Sequence, residues 1–317
     1  MDALFSSIGP SPAPAGIPLG QVTELCGAAG VGKTTLALQL ALDVQMPAAF
    51  GGAGGGTLFV DTEGGFFPER LFEMAAALSA HVTRKAVRLT EGAEELAARV
   101  APAALARNVR VYRATTIEGL AAAVEAIPKL IAAEKIAAEK AESLTEPQSI
   151  RRLLPVRLVV IDSVALHLRH VLGPMDPGAR VRATATLGAA LHSLAATAGV
   201  AVVVVNHVTT KIGHTGGGLG AAAAALAAAA VLLPPGAARG LALDAAPGDT
   251  ARLVPALGDV WAHVPAARLW LGWQAGHRVA TIDKSLLIAA VPLHMTVSTF
   301  SITAAGIRKV SGREART

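Results

Sequence analysis

The sequence has little cysteine and few aromatic residues. Of its 317 residues, one is cysteine (Cys26) and 3% are aromatic, whereas 52% are hydrophobic. A single cysteine excludes an intramolecular disulfide and a cysteine-ligated zinc site, and it indicates a reducing compartment. Because alanine buries little apolar area, we expect Leu, Val and Ile to pack most of the core.

The N-terminal region also lacks positive charge, since Lys33 is the first basic residue. This excludes the basic start of a secretory signal and the Arg-rich face of a transit peptide. The longest apolar run, residues 219–233, is mostly alanine and is short for a membrane span. We therefore expect a soluble protein with no membrane partner.

The net charge of the chain is positive. The formal charge is +5 and the isoelectric point is about 9.7. Such a balance suits an acidic partner such as nucleic acid, although an arginine-rich composition bias explains it almost equally well.

Strands and helices are predicted to alternate along the chain. Apolar runs predict strands at 21–26, 57–61, 109–113, 157–162, 200–206 and 295–303, and a hairpin at 267–274 and 278–283 around Ala275-Gly276. Helices are predicted at 33–44, 68–78 and 187–198, at 81–107 with interruptions, and at 117–144 with a break before Pro128. The order indicates an α/β fold: a mainly parallel, twisted sheet with helices on both faces and an antiparallel edge.

The segment GAAGVGKT at residues 27–34 matches the phosphate-binding pattern G-x-x-x-x-G-K-[ST]. It lies between a predicted strand and a predicted helix, where backbone N–H groups and the helix dipole favour phosphate. We expect Lys33 to reach the β- and γ-phosphates and Thr34 to offer its hydroxyl to Mg²⁺. The expected cofactors are ATP and Mg²⁺, and the expected binding residues are Gly27, Gly30, Val31, Gly32, Lys33, Thr34 and Thr35.

Two acidic residues follow predicted strands. Asp162 follows LVVI and is placed like the Walker-B aspartate that orients magnesium. Glu63, in VDTEG, is placed to orient an attacking water and to accept its proton. The alternative for both is a helix N-cap or a turn residue, and it is the stronger alternative for Glu63.

Five segments together resemble one family. They are GAAGVGKTTLALQLALDVQMP, FVDTEGGFFPERL, LVVIDSVALHLRH, AVVVVNHVTTKI and VPALGDVWAHVPAARLWL, in this order. The order of the segments is similar to that in the RecA-type recombinases of eukaryotes and archaea. Their residues most resemble those of the C-paralogue subfamily of the eukaryotic strand-exchange recombinase. The resemblance spans about residues 21–310.

This resemblance implies a RecA-type ATPase core that acts in homologous-recombination repair in the nucleus, within a complex of RecA-fold paralogues. It implies that Glu63, together with Lys33, is catalytic and that Asp162 is the Walker-B acid. It places Arg70, in the PER segment, near the adenine, and it makes His263 a residue that senses the nucleotide.

The resemblance also implies two DNA-binding loops. The first would span about residues 169–182 and present Arg169, His170, Arg180 and Arg182, and the second would begin near Thr209 and include Lys211. Their contacts to single-stranded DNA, with double-stranded DNA as a second candidate, would be electrostatic. A solvated basic loop is the alternative, because no aromatic residue is interleaved to stack on bases.

The chain departs from the family pattern in three places. Residues 1–20 correspond to a linker, so the family's N-terminal helical domain is expected to be absent, while 21–310 form the core and 311–317 a basic tail. His207 stands where the recombinases mostly have a glutamine that senses the γ-phosphate. A low-complexity Ala/Gly insert at about 213–247 enlarges the second loop.

Three functional hypotheses follow from these residues. The first is a slow, DNA-dependent ATPase, and the second is a non-catalytic assembly subunit that binds ATP. The third class is a small-molecule P-loop kinase, but no arginine-rich substrate lid is evident in the sequence. Other RecA-fold motors such as helicases remain an alternative.

Overall fold

The fold alternates strands and helices. The computed structural model describes residues 16–86, 93–142, 153–170, 177–214, 249–274, 276–285 and 297–310. The strands are β1 (Val22–Gly27), β2 (Gly56–Asp61), β3 (Val109–Arg113), β4 (Val156–Asp162), β5 (Ala201–Asn206), β6 (Val208–His214), β7 (Asp249–Pro255), β8 (Ala267–Gln274), β9 (His277–Ser285), β10 (Val297–Thr303) and β11 (Gly306–Lys309). The helices are α1 (Lys33–Asp43), α2 (Pro68–Ala86), α3 (Ala93–Arg99), α4 (Pro102–Arg107), α5 (Ile117–Glu142), α6 (Ala165–His170), α7 (Pro177–Ala198) and α8 (Gly258–Ala262), with a 3₁₀ turn at Ala48–Phe50.

Nine of these strands form one sheet, in the order β11-β10-β9-β8-β1-β5-β4-β2-β3. The strands from β8 to β3 in this order are parallel, and β8, β9, β10 and β11 pair antiparallel. The predicted fold class is therefore confirmed. Because β1, β5, β4 and β2 are parallel neighbours, the residues that follow them meet at one edge of the sheet.

Helices cover both faces of the sheet, and each face has its own hydrophobic core. One core packs α1 to α4 against the sheet, and the other packs α5, α6, α7 and the side chain of Trp261. The central strands β1 and β5 are buried at every residue, as their continuous apolar runs predicted.

Helix α5 differs from the prediction of a break before Pro128. It runs without interruption through that residue for 26 residues. Proline removes one backbone hydrogen bond, at a cost of about 3 kcal/mol in a helix interior. Leu120, Val124 and Ile127, before the proline, are buried in the second core, and Ile131, after it, packs against that core. These contacts hold the helix together on both sides of the proline.

The described ends of the predicted first DNA loop, residues 169–170 and 177–182, are helical, which corrects the prediction of a loop there, while residues 171–176 lie outside the described residues. Arg169 and His170 end α6, and Arg180 and Arg182 lie in the first turns of α7. Helix α7 begins ten residues before the predicted start at 187. Proline at the first position of a helix is favourable, because its missing N–H would have no intrahelical partner there.

The second predicted loop also begins as a strand rather than a loop. Strands β6 and β7 pair antiparallel in a separate two-stranded sheet, here called the ribbon, and Lys211 lies opposite Arg252 in it. Of the low-complexity insert, residues 215–248 lie outside the described residues, as do most of the lead-in (1–15) and the tail (311–317). Among the described helices, none is long and apolar enough to cross a membrane.

Candidate nucleotide site

Four segments with polar residues converge at the carboxyl edge of the parallel strands. The phosphate-loop segment follows β1, Glu63 follows β2, Asp162 ends β4 and His207 follows β5. The strand register aligns them, since Asp162 lies opposite Asp61 on one side and Val205 on the other. This edge is therefore the place where the predicted catalytic groups meet.

The phosphate-loop segment requires glycine at two positions. A Cβ on Gly27 would lie 2.2 Å from the carbonyl oxygen of Leu271 in the neighbouring strand β8. Gly32 has φ +113°, and a Cβ there would lie 2.5 Å from the Cδ1 of Ile302. Any side chain would therefore displace the loop from the sheet or strain its backbone.

Lys33 lies at the first position of α1 and is 7% exposed. Its Nζ donates to the carbonyl oxygens of Gly27 and Ala28, each at 2.8 Å. Burial lowers the pKa of Lys33, while the negative charges of Asp162 and Glu63 act in the opposite direction. The ammonium group is thus held inside the loop, next to both predicted acidic residues.

Thr34 and Asp162 form a hydrogen bond, in which the threonine hydroxyl donates to Oδ2 at 2.6 Å. Asp162 is buried, and this burial raises its pKa to about 6. Hydroxyl and carboxylate oxygens are ligands that Mg²⁺ accepts, and Mg²⁺ in nucleotide sites takes few protein ligands besides phosphates and water. No group of three or more His, Cys, Asp or Glu side chains in the described part of the chain could hold a metal. The residues present fit a magnesium ion brought by a nucleotide.

A tight turn after β2 sets the position of Glu63. The Oδ1 atom of Asp61 accepts hydrogen bonds from the backbone N–H groups of Glu63, Gly64 and Gly65, at 3.2, 2.8 and 3.1 Å. Gly64 has φ +76°, a conformation that glycine adopts without strain. The turn therefore holds Glu63 directly after the end of β2, with its side chain partly exposed.

The Glu63 carboxylate accepts two side-chain hydrogen bonds at the same oxygen. The Nε2 atom of His207 lies 2.7 Å from Oε1, and the hydroxyl of Ser163 donates to Oε1 as well. The bond from His207 lowers the pKa of Glu63 most, partial burial raises it, and the bond from Ser163 lowers it further. Because the net shift is downward, Glu63 is a carboxylate at neutral pH.

A second polar cluster, here called the Glu24 cluster, lies beneath the site inside the sheet. Glu24 on β1 is 0% exposed and accepts from Asn206 Nδ2 at 2.6 Å, from Trp261 Nε1 at 2.8 Å and from the Nε of Arg268. Arg268 also donates to Asp283 at 3.2 Å. The cluster joins β1, β5, α8 and β8, so it fixes the strands that carry the site.

The structure brings together Lys33, Thr34, Glu63 and Asp162, as predicted. Of the remaining phosphate-loop residues, Gly30 has φ +73°, Val31 is fully buried and Thr35 lies in the first turn of α1.

The structure does not bring Arg70 or His263 to this group by any hydrogen bond or ion pair within the described residues. Arg70 pairs with Glu73 and donates to the carbonyl oxygens of Thr303 and Ala304 in the turn between β10 and β11. His263 is exposed at the residue after α8. Both assignments stay predictions.

The predicted DNA-contacting residues lie on two elements. Arg180 and Arg182 are exposed on α7. The side chains of Arg169, His170 and Lys211 lie outside the described residues. Their roles therefore stay predictions.

Sequence reasoning missed several residues of the site. Asp61 lies two residues before Glu63 and Ser163 directly follows Asp162, so the segments VDTEG and VVIDS contained a usable signal for them. The pairing of His207 with Glu63 spans 144 positions, and that of Arg268 with Glu24 spans 244. Only the strand order brings these residues together.

Comparisons with known proteins agree with the fold. The family described as "AAA domain" matches residues 14–211. The chain is 31% identical over 270 residues to the "DNA repair protein RAD51 homolog 3" of Cricetulus griseus, covering 85% of this chain and 59% of that protein. It is 32% identical over 197 residues to the "DNA repair protein XRCC3" of Bos taurus, covering 62% of this chain and 49% of that protein.

A third relative is the "DNA repair protein RAD51 homolog 2" of Homo sapiens. The chain is 26% identical to it over 283 residues, covering 88% of this chain and 60% of that protein. The chain thus spans about three-fifths of the length of the first curated relatives that it matches.

Proposed function

The chain belongs to the AAA-domain P-loop ATPases and, among them, to the RecA-family recombinase paralogues, and from this we propose that it is a slow, DNA-dependent ATPase of homologous-recombination repair. One observation carries the proposal: at one sheet edge, Lys33, the Thr34–Asp162 pair and an ionised Glu63 are held together by hydrogen bonds and charge. This arrangement supports hydrolysis of a phosphoanhydride.

The phosphate grip comes from the start of α1. Backbone N–H groups of the phosphate-loop segment and the ammonium of Lys33 would bind the β- and γ-phosphates. Thr34 and Asp162 would hold Mg²⁺, which neutralises charge on the phosphate oxygens when bound. Burial raises the pKa of Asp162 to about 6, although the hydrogen bond from Thr34 and the charge of Lys33 act in the opposite direction.

Glu63 would orient the attacking water. The water oxygen bonds to the γ-phosphorus as the bond between that phosphorus and the oxygen of the ADP leaving group breaks, and Glu63 takes a proton from the water. The lowered pKa of Glu63 keeps the group ionised but makes it a weak base, so its main contribution is orientation. Slow turnover is the expected result.

DNA binding is proposed for the N-terminal part of α7, which carries Arg180 and Arg182. Both side chains are exposed on α7, and the ribbon with Lys211 begins directly after His207. Cations on such elements would contact phosphates of single-stranded DNA without reading its sequence. Double-stranded DNA is a second candidate substrate, other RecA-fold paralogues are the proposed partners and the nucleus is the proposed location.

ATP turnover with and without single-stranded DNA tests the proposal. We expect DNA to stimulate hydrolysis at low salt, and this stimulation to decline as salt rises. Lys33→Ala should abolish both nucleotide binding and turnover, whereas Lys129→Ala, at an exposed lysine of α5, should change neither. Turnover that ignores DNA, in a protein that also fails to bind DNA at low salt, would refute the proposal.

The second candidate is an assembly subunit that binds ATP without hydrolysing it. The two hydrogen-bond donors on Glu63 favour this candidate, because they reduce the basicity of the carboxylate that is proposed to act on the water. Tight ATP binding without turnover, together with co-purification with other RecA-fold chains, would select this candidate. Measurable turnover that is lost in Glu63→Gln would exclude it.

A further inference from the structure

We propose that His207 is a positioning residue that holds the Glu63 carboxylate by one oxygen and links that carboxylate to the β6–β7 ribbon. The inference rests on the proposed ATPase function for its effect on turnover. The contact itself can be tested without turnover.

The chemistry of the pair fixes which partner donates. Glu63 is ionised at neutral pH because its pKa is lowered, and a carboxylate can only accept a hydrogen bond. The Nε2 atom of His207, 2.7 Å from Oε1, must therefore carry the proton. The pair is a donor–acceptor contact of fixed direction, whether the imidazole is neutral or charged.

The two donors restrain one oxygen of Glu63 and leave the other available. Ser163 and His207 both donate to Oε1, and no residue in the described part of the chain donates to Oε2. A carboxylate held in this way keeps its plane and direction while Oε2 can accept a hydrogen bond from a water. Loss of His207 would leave Ser163 as the only side-chain donor and would free the carboxylate to rotate.

The backbone of His207 lies between a fixed point and the ribbon. On one side, Asn206 donates to the buried Glu24. On the other side, Val208 begins β6 opposite Pro255 of β7. The carbonyl oxygen of His207 accepts from the N–H of Ala256, at 2.9 Å. A displacement of the ribbon would therefore move the imidazole while residue 206 stays in place.

Several charged groups surround the pair. Lys33 from α1 acts on Glu63, and Asp162 from β4 senses the charges of Glu63, Lys33 and Asp61. The side chains of His207 and Glu63 are 32% and 31% exposed, so solvent and a bound phosphate can both reach them. The pair thus lies where a change in ribbon position would change the orientation of the predicted base.

Steady-state kinetics of His207→Ala and His207→Gln test the effect on turnover. Misplacing a catalytic group by about 1 Å can cost about 100-fold in rate, so we expect His207→Ala to lower kcat by about 10- to 100-fold with ATP affinity nearly unchanged. His207→Gln should recover most of this loss, because its amide can also donate to Oε1. His192→Ala, at an exposed histidine of α7, is the matched control and should behave like the wild type.

Histidine-selective ¹⁵N NMR of the full chain tests the contact independently. We expect a slowly exchanging Nε2–H signal from His207 that is lost in Glu63→Ala and kept in His192→Ala. Wild-type kcat in His207→Ala, or an Nε2–H signal indifferent to Glu63→Ala, would overturn the inference. If the wild type does not hydrolyse ATP but the signal depends on Glu63, the proposed ATPase function fails and the positioning contact stands.

Discussion

Two glutamates in this molecule accept hydrogen bonds from successive residues at the end of one strand, yet they differ in burial and in their other partners. Asn206 donates to Glu24, and His207 donates to Glu63. Glu24 is fully buried and has a guanidinium partner, Arg268, whereas Glu63 is partly exposed and has an imidazole and a hydroxyl as partners. Neighbouring residues on a strand point in opposite directions, so one strand end can serve both fold and chemistry.

The difference in partners indicates different tasks. The guanidinium of Arg268 is a permanent cation at physiological pH and suits a carboxylate that is fully buried. A buried carboxylate without its cation would be a large penalty to the fold, while a half-exposed one can be solvated by water. We therefore assign the Glu24 cluster to stability and the Glu63 group to the proposed turnover, and variants of Arg268, Glu63 and Glu24 test this division.

The largest effect is expected from Arg268→Ala. Removing one partner of a buried ion pair typically costs about 3 to 5 kcal/mol in the free energy of unfolding, because the fully buried Glu24 would lose its guanidinium partner. Denaturant unfolding followed by circular dichroism measures this. Arg308→Ala, at an exposed arginine on β11, is the control. Equal stability of the two variants would contradict the assignment of the Glu24 cluster to stability.

A smaller effect in energy, but a large one in rate, is expected from Glu63→Gln. Loss of a positioned base lowers kcat by about 100-fold or more, while the free energy of unfolding should change by less than about 1 kcal/mol, as for other partly exposed pairs. Glu24→Gln should show the reverse pattern. We would measure kcat and the free energy of unfolding for both variants. A Glu63→Gln protein that is destabilised as much as Arg268→Ala would contradict the assignment of Glu63 to turnover.

The last prediction concerns Asp162, a carboxyl whose pKa is raised mainly by burial. Its folded pKa of about 6 lies above the ordinary value of 3.8, so it favours the folded state when protonated and opposes it when ionised. Asp162→Asn should therefore be more stable than the wild type by about 1 to 3 kcal/mol above pH 7, and this difference should vanish below about pH 4. Unfolding series across that pH range measure it, and a difference independent of pH would refute the argument.

Much of the fold could be predicted because its signals are local. The buried runs in β1, β4 and β5 and the hairpin of β8 and β9 were all evident in the sequence. The prediction of a break at Pro128 was wrong because the low helix propensity of proline is a local quantity. The packing of Leu120, Val124 and Ile127 in the core outweighs it. The ribbon was missed because its two strands are separated by the low-complexity insert, so no turn signal joins them.

In the site, too, the residues that could be predicted are those with a local signal in the sequence. Lys33, Thr34, Glu63 and Asp162 were found because each belongs to a contiguous motif at the end of a strand. Sequence reasoning also noted that His207 replaces a glutamine, but it could not show that the imidazole contacts Glu63, since that contact depends on the spatial order of β2, β4 and β5. The roles of Arg70, His263 and the DNA-contacting residues stay predictions.

The close approach of Gly27 to Leu271 has a consequence for biosynthesis. The floor of the phosphate loop is supplied by β8, which the ribosome makes more than two hundred residues after β1. A nascent chain that ends before β8 would hold the complete phosphate-binding motif but not the strand against which that motif packs. Nucleotide binding would therefore begin late in synthesis, once β8 has been made and has paired with β1.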